Sequence, residues 1–342
     1  MDRFEKFKGK GLSGLTNCGN TCYMNSCMQV FSHMYELNGF LDQGTYNKRL
    51  TQTPDSVLLT QWDALRKLMW NSNCIIAPNA FVKAVHRVAA AKKRPMFMGH
   101  AQNDVQEYLL FLIDCFHTAL SREVVMEVTG SAENERDMLA KSCYEMMVNM
   151  YKKEYSEMIG MFFGIQVSEI KSASGDVLSV CPEPVAVISL PVETARESTL
   201  AASLGAYCSV ERMEGDNAFF NEKTGKKEDV TKELGFWSLP TILIIDLKRW
   251  NMRGQKNNAL VDFPMEGLDM SPYVRGYNKD SYVYDLFGVC NHSGGPMGGH
   301  YTASVRAADG DWYGFNDAQV SKIQAAQVKS PRAYCLFYRK IK

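Results

Sequence analysis

The chain has 342 residues with 38 Lys+Arg against 38 Asp+Glu, a formal charge of zero, and its 46% hydrophobic and 22% charged residues are ordinary globular composition. That excludes wholesale disorder, and the balance of charge gives no ground for binding nucleic acid. The opening MDRFEKFKGK lacks the apolar stretch of a secretory signal. No segment approaches the roughly 18 apolar residues of a membrane span, so neither nucleic acid nor membrane is an expected partner.

The first half reads as helical. Cys22 to Met34 follows a Gly-Asn-Thr turn and carries Met24, Cys27, Met28, Phe31 and Met34 at helical spacing. Val57 to Trp70 gathers Leu58, Leu59, Trp62, Leu65 and Leu68 on one face, and Asn79 to Ala90 is a shorter helix. In Asn103 to Leu120, Asn103 is a suitable cap, and Val105, Leu109, Leu112, Ile113 and Phe116 form the stripe. Glu135 to Met158 continues the helical character, and the methionines from Met146 to Met161 read as core filling.

From about Phe162 the pattern turns to short β-branched runs: Phe163 to Val167, Val177 to Val180 and Val185 to Leu190. Leu200 to Cys208 is helical again, and Asp216 to Gly235, rich in Lys and Glu, reads as a solvated loop or hairpin tip. Strands follow at Thr241 to Lys248, Tyr282 to Cys290, Tyr301 to Ala307, Asp311 to Phe315 and Ala333 to Arg339, with a polar loop at Asn251 to Asn258. A helical half before a strand-rich half predicts an α+β fold with segregated lobes.

With no secretory signal, the ten cysteines point to a reducing compartment, the cytoplasm or nucleus, rather than to disulfides. No two of them show the C-x2-C spacing of a structural zinc site. Most then serve as small buried apolar residues, and the question is whether one is a nucleophile. Cys22 opens a helix directly after the Gly19-Asn20 turn. There, unpaired N–H groups and the helix dipole favour thiolate, and the turn lets a substrate approach. The alternative is one more core cysteine.

A nucleophilic thiol needs a base. His300 ends the glycine-rich run Ser293 to Gly299 and opens a strand, a suitable place for a general base beside a cleft. His292 lies in the same stretch and is as readily structural, and His33, His86, His100 and His117 sit in contexts that suggest nothing catalytic. Asn316 and Asp317 follow the strand Trp312 to Phe315, and either could orient the imidazole. They could equally form an ordinary turn. Asn17 lies close enough before Cys22 to donate an amide N–H to an oxyanion.

Taken together and in order, these segments resemble the ubiquitin-specific proteases. Gly11 through Ser26 (GLSGLTNCGNTCYMNS) resembles their Cys box, and Asn291 to Tyr301 with Trp312 to Asp317 resembles their His box. Gln102 to Tyr108 looks like their Gln-x-Asp-x-Gln-Glu helix, and Leu239 to Arg249 like their Leu-Pro strand ending in Leu-Lys-Arg. The match spans residues 11 to about 340.

The resemblance implies one catalytic domain, residues 11–341, with a papain-like right-hand fold. The helical thumb would run to about 160, the fingers and part of the palm over about 161–240, and the rest of the palm to 341. It implies a thiol protease that removes ubiquitin from ubiquitinated proteins without a cofactor. Cys22 would be nucleophile, His300 base, Asn316 the third member, Asp317 the second acidic position and Asn17 the oxyanion residue. Asp104 and Glu107 would face the basic ubiquitin tail, making an acidic channel offset elsewhere by the lysine-rich segment Lys223 to Lys232. His292, Gly298, Gly299 and Tyr301 would line the substrate around a mobile blocking loop. Some members of the family need a protein partner to align the triad, so an activating partner is also compatible.

Two departures stand out. Where the family often carries two C-x2-C pairs, the chain reads Glu169-Ile170-Lys171-Ser172 and Asp216 to Phe220, implying zinc-free fingers held by strand pairing alone. Asp246 stands where the family often has His, and Trp250 where Phe is usual. The competing readings are a protease for another ubiquitin-like modifier, a non-catalytic ubiquitin-binding module and a metalloprotein.

Overall fold

The computed structural model describes residues 4–193, 197–222, 224–295 and 298–342. Met1 to Arg3 of the opening segment, Lys223 of the lysine-rich segment, and Pro296 and Met297 of the glycine-rich run lie outside the described residues.

Among the described residues, seven helices fill the first half: α1 (Cys22–Ser32), α2 (Tyr35–Asp42), α3 (Pro54–Asn71), α4 (Asn79–Ala91), α5 (Val105–Leu120), α6 (Glu135–Tyr151) and α7 (Glu157–Phe162). Every residue of α1 is buried, as expected of a helix enclosed on all sides. Leu58, Leu59 and Trp62 of α3 and Leu109, Leu112 and Phe116 of α5 share its core, as do Phe287, Cys290 and Val305 from the strands. Pro54 starts α3 at a position where its missing N–H costs nothing.

Two helical expectations change. The cap of α5 is Asp104, whose carboxylate accepts from Gln106 N at 2.7 Å. Asn103 instead donates to the Met96 carbonyl at 2.9 Å and to the Tyr23 hydroxyl at 3.1 Å. The expected continuous helix over Glu135 to Met158 breaks after Tyr151, because Tyr155 bridges back to Arg122 and Ser156 caps a new helix. The methionines there divide: Met158 is fully buried, Met146 and Met147 are half-buried against α6's neighbours, and Met150 is exposed.

Short strands β1 (Gly14–Leu15) and β2 (Ile75–Ile76) pair beside α1. The second half then supplies β3 (Gly164–Ser172), β4 (Val177–Val185), β5 (Val187–Pro191), β6 (Glu197–Thr199), helix α8 (Leu200–Tyr207), β7 (Glu211–Met213), β8 (Phe219–Asn221), β9 (Lys226–Glu228) and β10 (Val230–Ser238). It ends with β11 (Ile242–Lys248), β12 (Leu260–Asp262), β13 (Leu268–Asp269), β14 (Val283–Gly295), β15 (Gly298–Arg306), β16 (Trp312–Asn316), β17 (Gln319–Ile323) and β18 (Ala333–Lys340).

The main sheet has the order β17-β16-β15-β14-β18-β11-β5, with β13 added on β14. The near-continuous apolar run of β11 fits burial on both faces. One face packs on α1, and the other closes over Leu200, Leu243, Ile245, Tyr284 and Leu336. This sandwiching brings the start of α1 to the cleft ends of β14, β15 and β16.

A second sheet, β4-β3-β10-β7, stands outside the first. Val230 to Gly235 belong to its central strand β10, paired with β3 from Ser172 to Val167, and not to the expected solvated loop. Only β8 and β9 of that polar segment form the anticipated small hairpin. The charges misled because a strand that stays partly exposed carries Lys and Glu freely. Strand pairing does not hold this sheet alone. Arg275 bonds Glu169 at 2.9 Å and Glu233 at 3.0 Å, and Ala140 and Cys143 of α6 pack on Ile165, Val167 and Trp237.

Candidate active site

The turn before α1 is built by two side chains. Asn17 Oδ1 accepts from Gly19 N at 3.0 Å and Thr21 N at 3.1 Å, while Thr21 Oγ1 accepts from Cys18 N at 2.8 Å. Gly19 (φ 98) and Asn20 (φ 55) take the left-handed conformation that closes it. Cys22 is therefore the first residue of α1, as the sequence predicts.

The thiolate expectation is corrected. Cys22 is buried, and loss of solvent pushes its pKa above the ordinary thiol value. A hydrogen bond from the Tyr301 backbone N–H opposes this, and the nearby negative charge of Asp317 adds to the rise. Burial outweighs the helix-terminus effect. Helix α1 packs on β15, the strand that His300 helps to open.

His300 is half-buried, and its Nε2 lies 2.6 Å from Asn316 Oδ1 at the end of β16. Of the two residues proposed to orient the imidazole, Asn316 makes the contact. Asp317 does something else. It occupies the β16–β17 turn at φ 50, and its carboxylate accepts from Asn17 Nδ2 at 3.1 Å and Asn25 Nδ2 at 2.7 Å. Asp317 O also accepts from Leu15 N at 2.9 Å. The turn that presents Asn316 is thus fastened to the segment that presents Cys22.

The expected acidic channel divides in the same way. Glu107 is exposed, but the Asp104 carboxylate points inward, accepting from the Tyr334 hydroxyl at 2.6 Å and the Tyr301 hydroxyl at 3.4 Å. Tyr301 is itself buried. His292, opposite Tyr301 in β14, is buried among Tyr301, Tyr334 and Trp250. Burial lowers its pKa to about 4, with the positive charge of Lys256 acting in the same direction, so the ring is neutral at pH 7. Lys256 donates to the His292 carbonyl at 2.6 Å, and its own pKa falls to about 8 through burial and the neighbouring Arg249.

Gly298 and Gly299 open β15. A Cβ on Gly299 would lie 2.2 Å from His292 Nε2, so only glycine fits. Gly299 N donates to Gln102 Oε1 at 2.7 Å, tying the run before His300 to the loop before α5. Sequence reasoning quoted Gln102 without a role and gave none to Asn25 or Tyr334. Their partners lie hundreds of positions away, and only the helical offset of Asn25 from Cys22 could have drawn attention to it. Asp246 is buried in β11 opposite Ser189 and Cys335. Among the described residues, no group of three His, Cys, Asp or Glu side chains is placed to hold a metal ion. No described helix is long and apolar enough to cross a membrane.

Comparison with known proteins bears on the family and the fold. The family model described as ubiquitin carboxyl-terminal hydrolase matches residues 13–338. Ubiquitin carboxyl-terminal hydrolase 2 of Bos taurus is 32% identical over 349 residues, covering 98% of this chain and 56% of its own length. The Gallus gallus protein of the same name is 30% identical over 339 residues, with 96% and 93% covered. The chain thus spans just over half the length of the Bos taurus relative. The SAGA Ubp8/Sgf11/Sus1/Sgf73 DUB module bound to ubiquitin aldehyde superposes with a TM-score of 0.74 at 23% identity, over 97% of this chain and 70% of that one. The α+β architecture is the papain-like fold of such hydrolases.

Proposed function

Because the chain belongs to the ubiquitin carboxyl-terminal hydrolase family, we propose that it is a thiol-dependent deubiquitinase, hydrolysing the bond after ubiquitin's C-terminal glycine in ubiquitin–protein conjugates. The observation that carries this reading is the convergence of the Cys22 turn and the His300–Asn316 pair: Asp317, the neighbour of Asn316, accepts from Asn17 and Asn25 on either side of Cys22.

The raised Cys22 pKa favours a neutral thiol at rest. His300 takes the thiol proton as Sγ attacks the glycine carbonyl carbon. The Nε2–H donated to Asn316 leaves Nδ1 with the lone pair for that transfer. Asn17 spends one amide hydrogen on Asp317, and its second, with the N–H groups at the start of α1, receives the oxyanion. The tetrahedral intermediate collapses, His300 protonates the leaving lysine amine, and a Cys22 thioester remains. Water, deprotonated by His300, then hydrolyses it and frees the thiol.

We read residues 11–341 as one catalytic domain, with the helical lobe as thumb, the main sheet as palm and the outlying sheet as fingers. Glu107 meets the basic ubiquitin tail. The ten free cysteines favour a reducing cytoplasmic or nuclear setting. A resting neutral thiol also leaves room for an activating protein partner.

Cleavage of a fluorogenic ubiquitin amide, abolished by Cys22→Ala, is the test. No turnover by folded wild type sinks the reading. Labelling of Cys22 by a probe built on another ubiquitin-like modifier, but not by one built on ubiquitin, reassigns the substrate.

A further inference from the structure

Asn25 lies one turn beyond Cys22 in α1 and is 2% exposed. Its side-chain Nδ2 donates to Asp317 Oδ1 at 2.7 Å and lies 3.3 Å from both the Leu15 and Thr16 carbonyl oxygens. All three neighbours of Nδ2 are acceptors, so the amide cannot be turned around. Asn25 Oδ1 is meanwhile buried with no partner among the described residues. A buried acceptor left unpaired costs stability, and an apolar side chain would avoid that cost. The residue is therefore placed for what its N–H groups hold.

They hold two things. The Leu15 and Thr16 carbonyls belong to the segment that leads into Asn17. The Asp317 carboxylate, gripped on one oxygen by Asn25, accepts on the other from Asn17 Nδ2 at 3.1 Å. Asp317 follows Asn316, the partner of His300. A single buried amide therefore connects the nucleophile's helix, the oxyanion-side amide and the turn bearing the third member of the triad.

We propose that Asn25 is a positioning residue for the hydrolysis: through Asp317 it fixes the Asn17 amide where the oxyanion forms. This rests on the deubiquitinase reading. Asn25 touches neither substrate nor reacting atoms, so its loss changes transition-state stabilisation and leaves ubiquitin binding alone.

The test uses the full 342-residue chain and a fluorogenic ubiquitin amide. Asn25→Ala lowers kcat by about 10- to 100-fold, a fraction of what losing an oxyanion donor outright costs, with KM within about 2-fold of wild type. Alkylation of Cys22 by iodoacetamide needs no oxyanion site, so its rate across pH stays within about 2-fold. Asn25→Asp, which sets two carboxylates face to face, is worse than Asn25→Ala. It also sets a carboxylate oxygen against the Leu15 and Thr16 carbonyls. The inference is overturned if kcat stays within 2-fold, if the loss sits in KM, if alkylation falls in parallel, or if Asn25→Asp is no worse than Asn25→Ala. Wild-type turnover in the same assay reports separately on the reading it rests on.

Discussion

His300 Nε2 and Asn316 Oδ1 stand 2.6 Å apart across adjacent strands β15 and β16. The neighbouring carboxylate of Asp317 faces away from this pair, toward Asn17 and Asn25. The two consecutive residues therefore divide the work that either could have done. Asn316→Ala removes the acceptor that selects the His300 tautomer and lowers kcat by about 10- to 100-fold. Asn316→Asp keeps an acceptor and retains most of the rate. Steady-state kinetics on a fluorogenic ubiquitin amide decide it, and equal losses in the two variants would show that the hydrogen bond is not what matters.

The Cys22 thiol gives a pH prediction. Burial raises its pKa, and the charge of Asp317 raises it further. In the free protein, iodoacetamide labelling of Cys22 is then slow at neutral pH and climbs with a midpoint above the ordinary thiol value of about 8.5. Asp317→Asn removes a negative charge and shifts the midpoint down. A wild-type midpoint near neutrality, or an upward shift in the variant, contradicts this account.

Asp246 predicts a stability change with the opposite slope to most carboxylates. Burial, then the charge of Asp104, raises its pKa to about 7, while Cys335, Ser189 and Lys248 pull the other way. Its folded pKa lies above the unfolded carboxyl value of about 3.9. Between these two values the folded chain holds a proton that the unfolded chain has lost. The contribution is complete below the unfolded pKa and disappears as pH rises toward about 7. Asp246→Asn cannot ionise, so its Tm relative to wild type rises by roughly 2–4 °C between pH 5 and pH 8. A constant difference across that range refutes the shift.

The long helices were readable because α1, α3 and α5 repeat apolar residues at helical spacing. The eight-residue α2 was not, since Gly39 and polar neighbours weaken its signal. The β10 strand was hidden by the charged pair Lys232-Glu233, on opposite faces and both only partly buried. At the site, Cys22 and His300 were legible because each carries chemistry in its own local segment, whereas only the folded chain shows that Asn316 rather than Asp317 reaches His300. Asp104 read as an acid facing the substrate, and only tertiary structure turns it toward Tyr301 and Tyr334. The Gln102–Gly299 and Asn25–Asp317 bonds join segments far apart in the chain, and no local pattern encodes such pairs.

Arg275 carries the last prediction, about what steadies the outlying sheet. Its guanidinium reaches Glu169 on β3 and Glu233 on β10, and its backbone N donates to Phe236 O at 2.7 Å. A Cβ on Gly235 would lie 2.7 Å from Arg275 Nε, so the arginine lies flat on the strand. Both pairs are partly exposed, and each contributes about 1 kcal/mol or less. Arg275→Ala therefore lowers global stability only slightly, yet frees β10 from the loop that anchors it. Amide exchange in β3 and β10 speeds up, and KM for the ubiquitin substrate rises more than kcat falls, because the proposed fingers hold ubiquitin rather than its scissile bond. Dialysis against a chelator leaves both Tm and activity unchanged if the arginine clip and strand pairing suffice. Stoichiometric zinc by elemental analysis, with a Tm that falls on chelation, would show instead that a metal does this work.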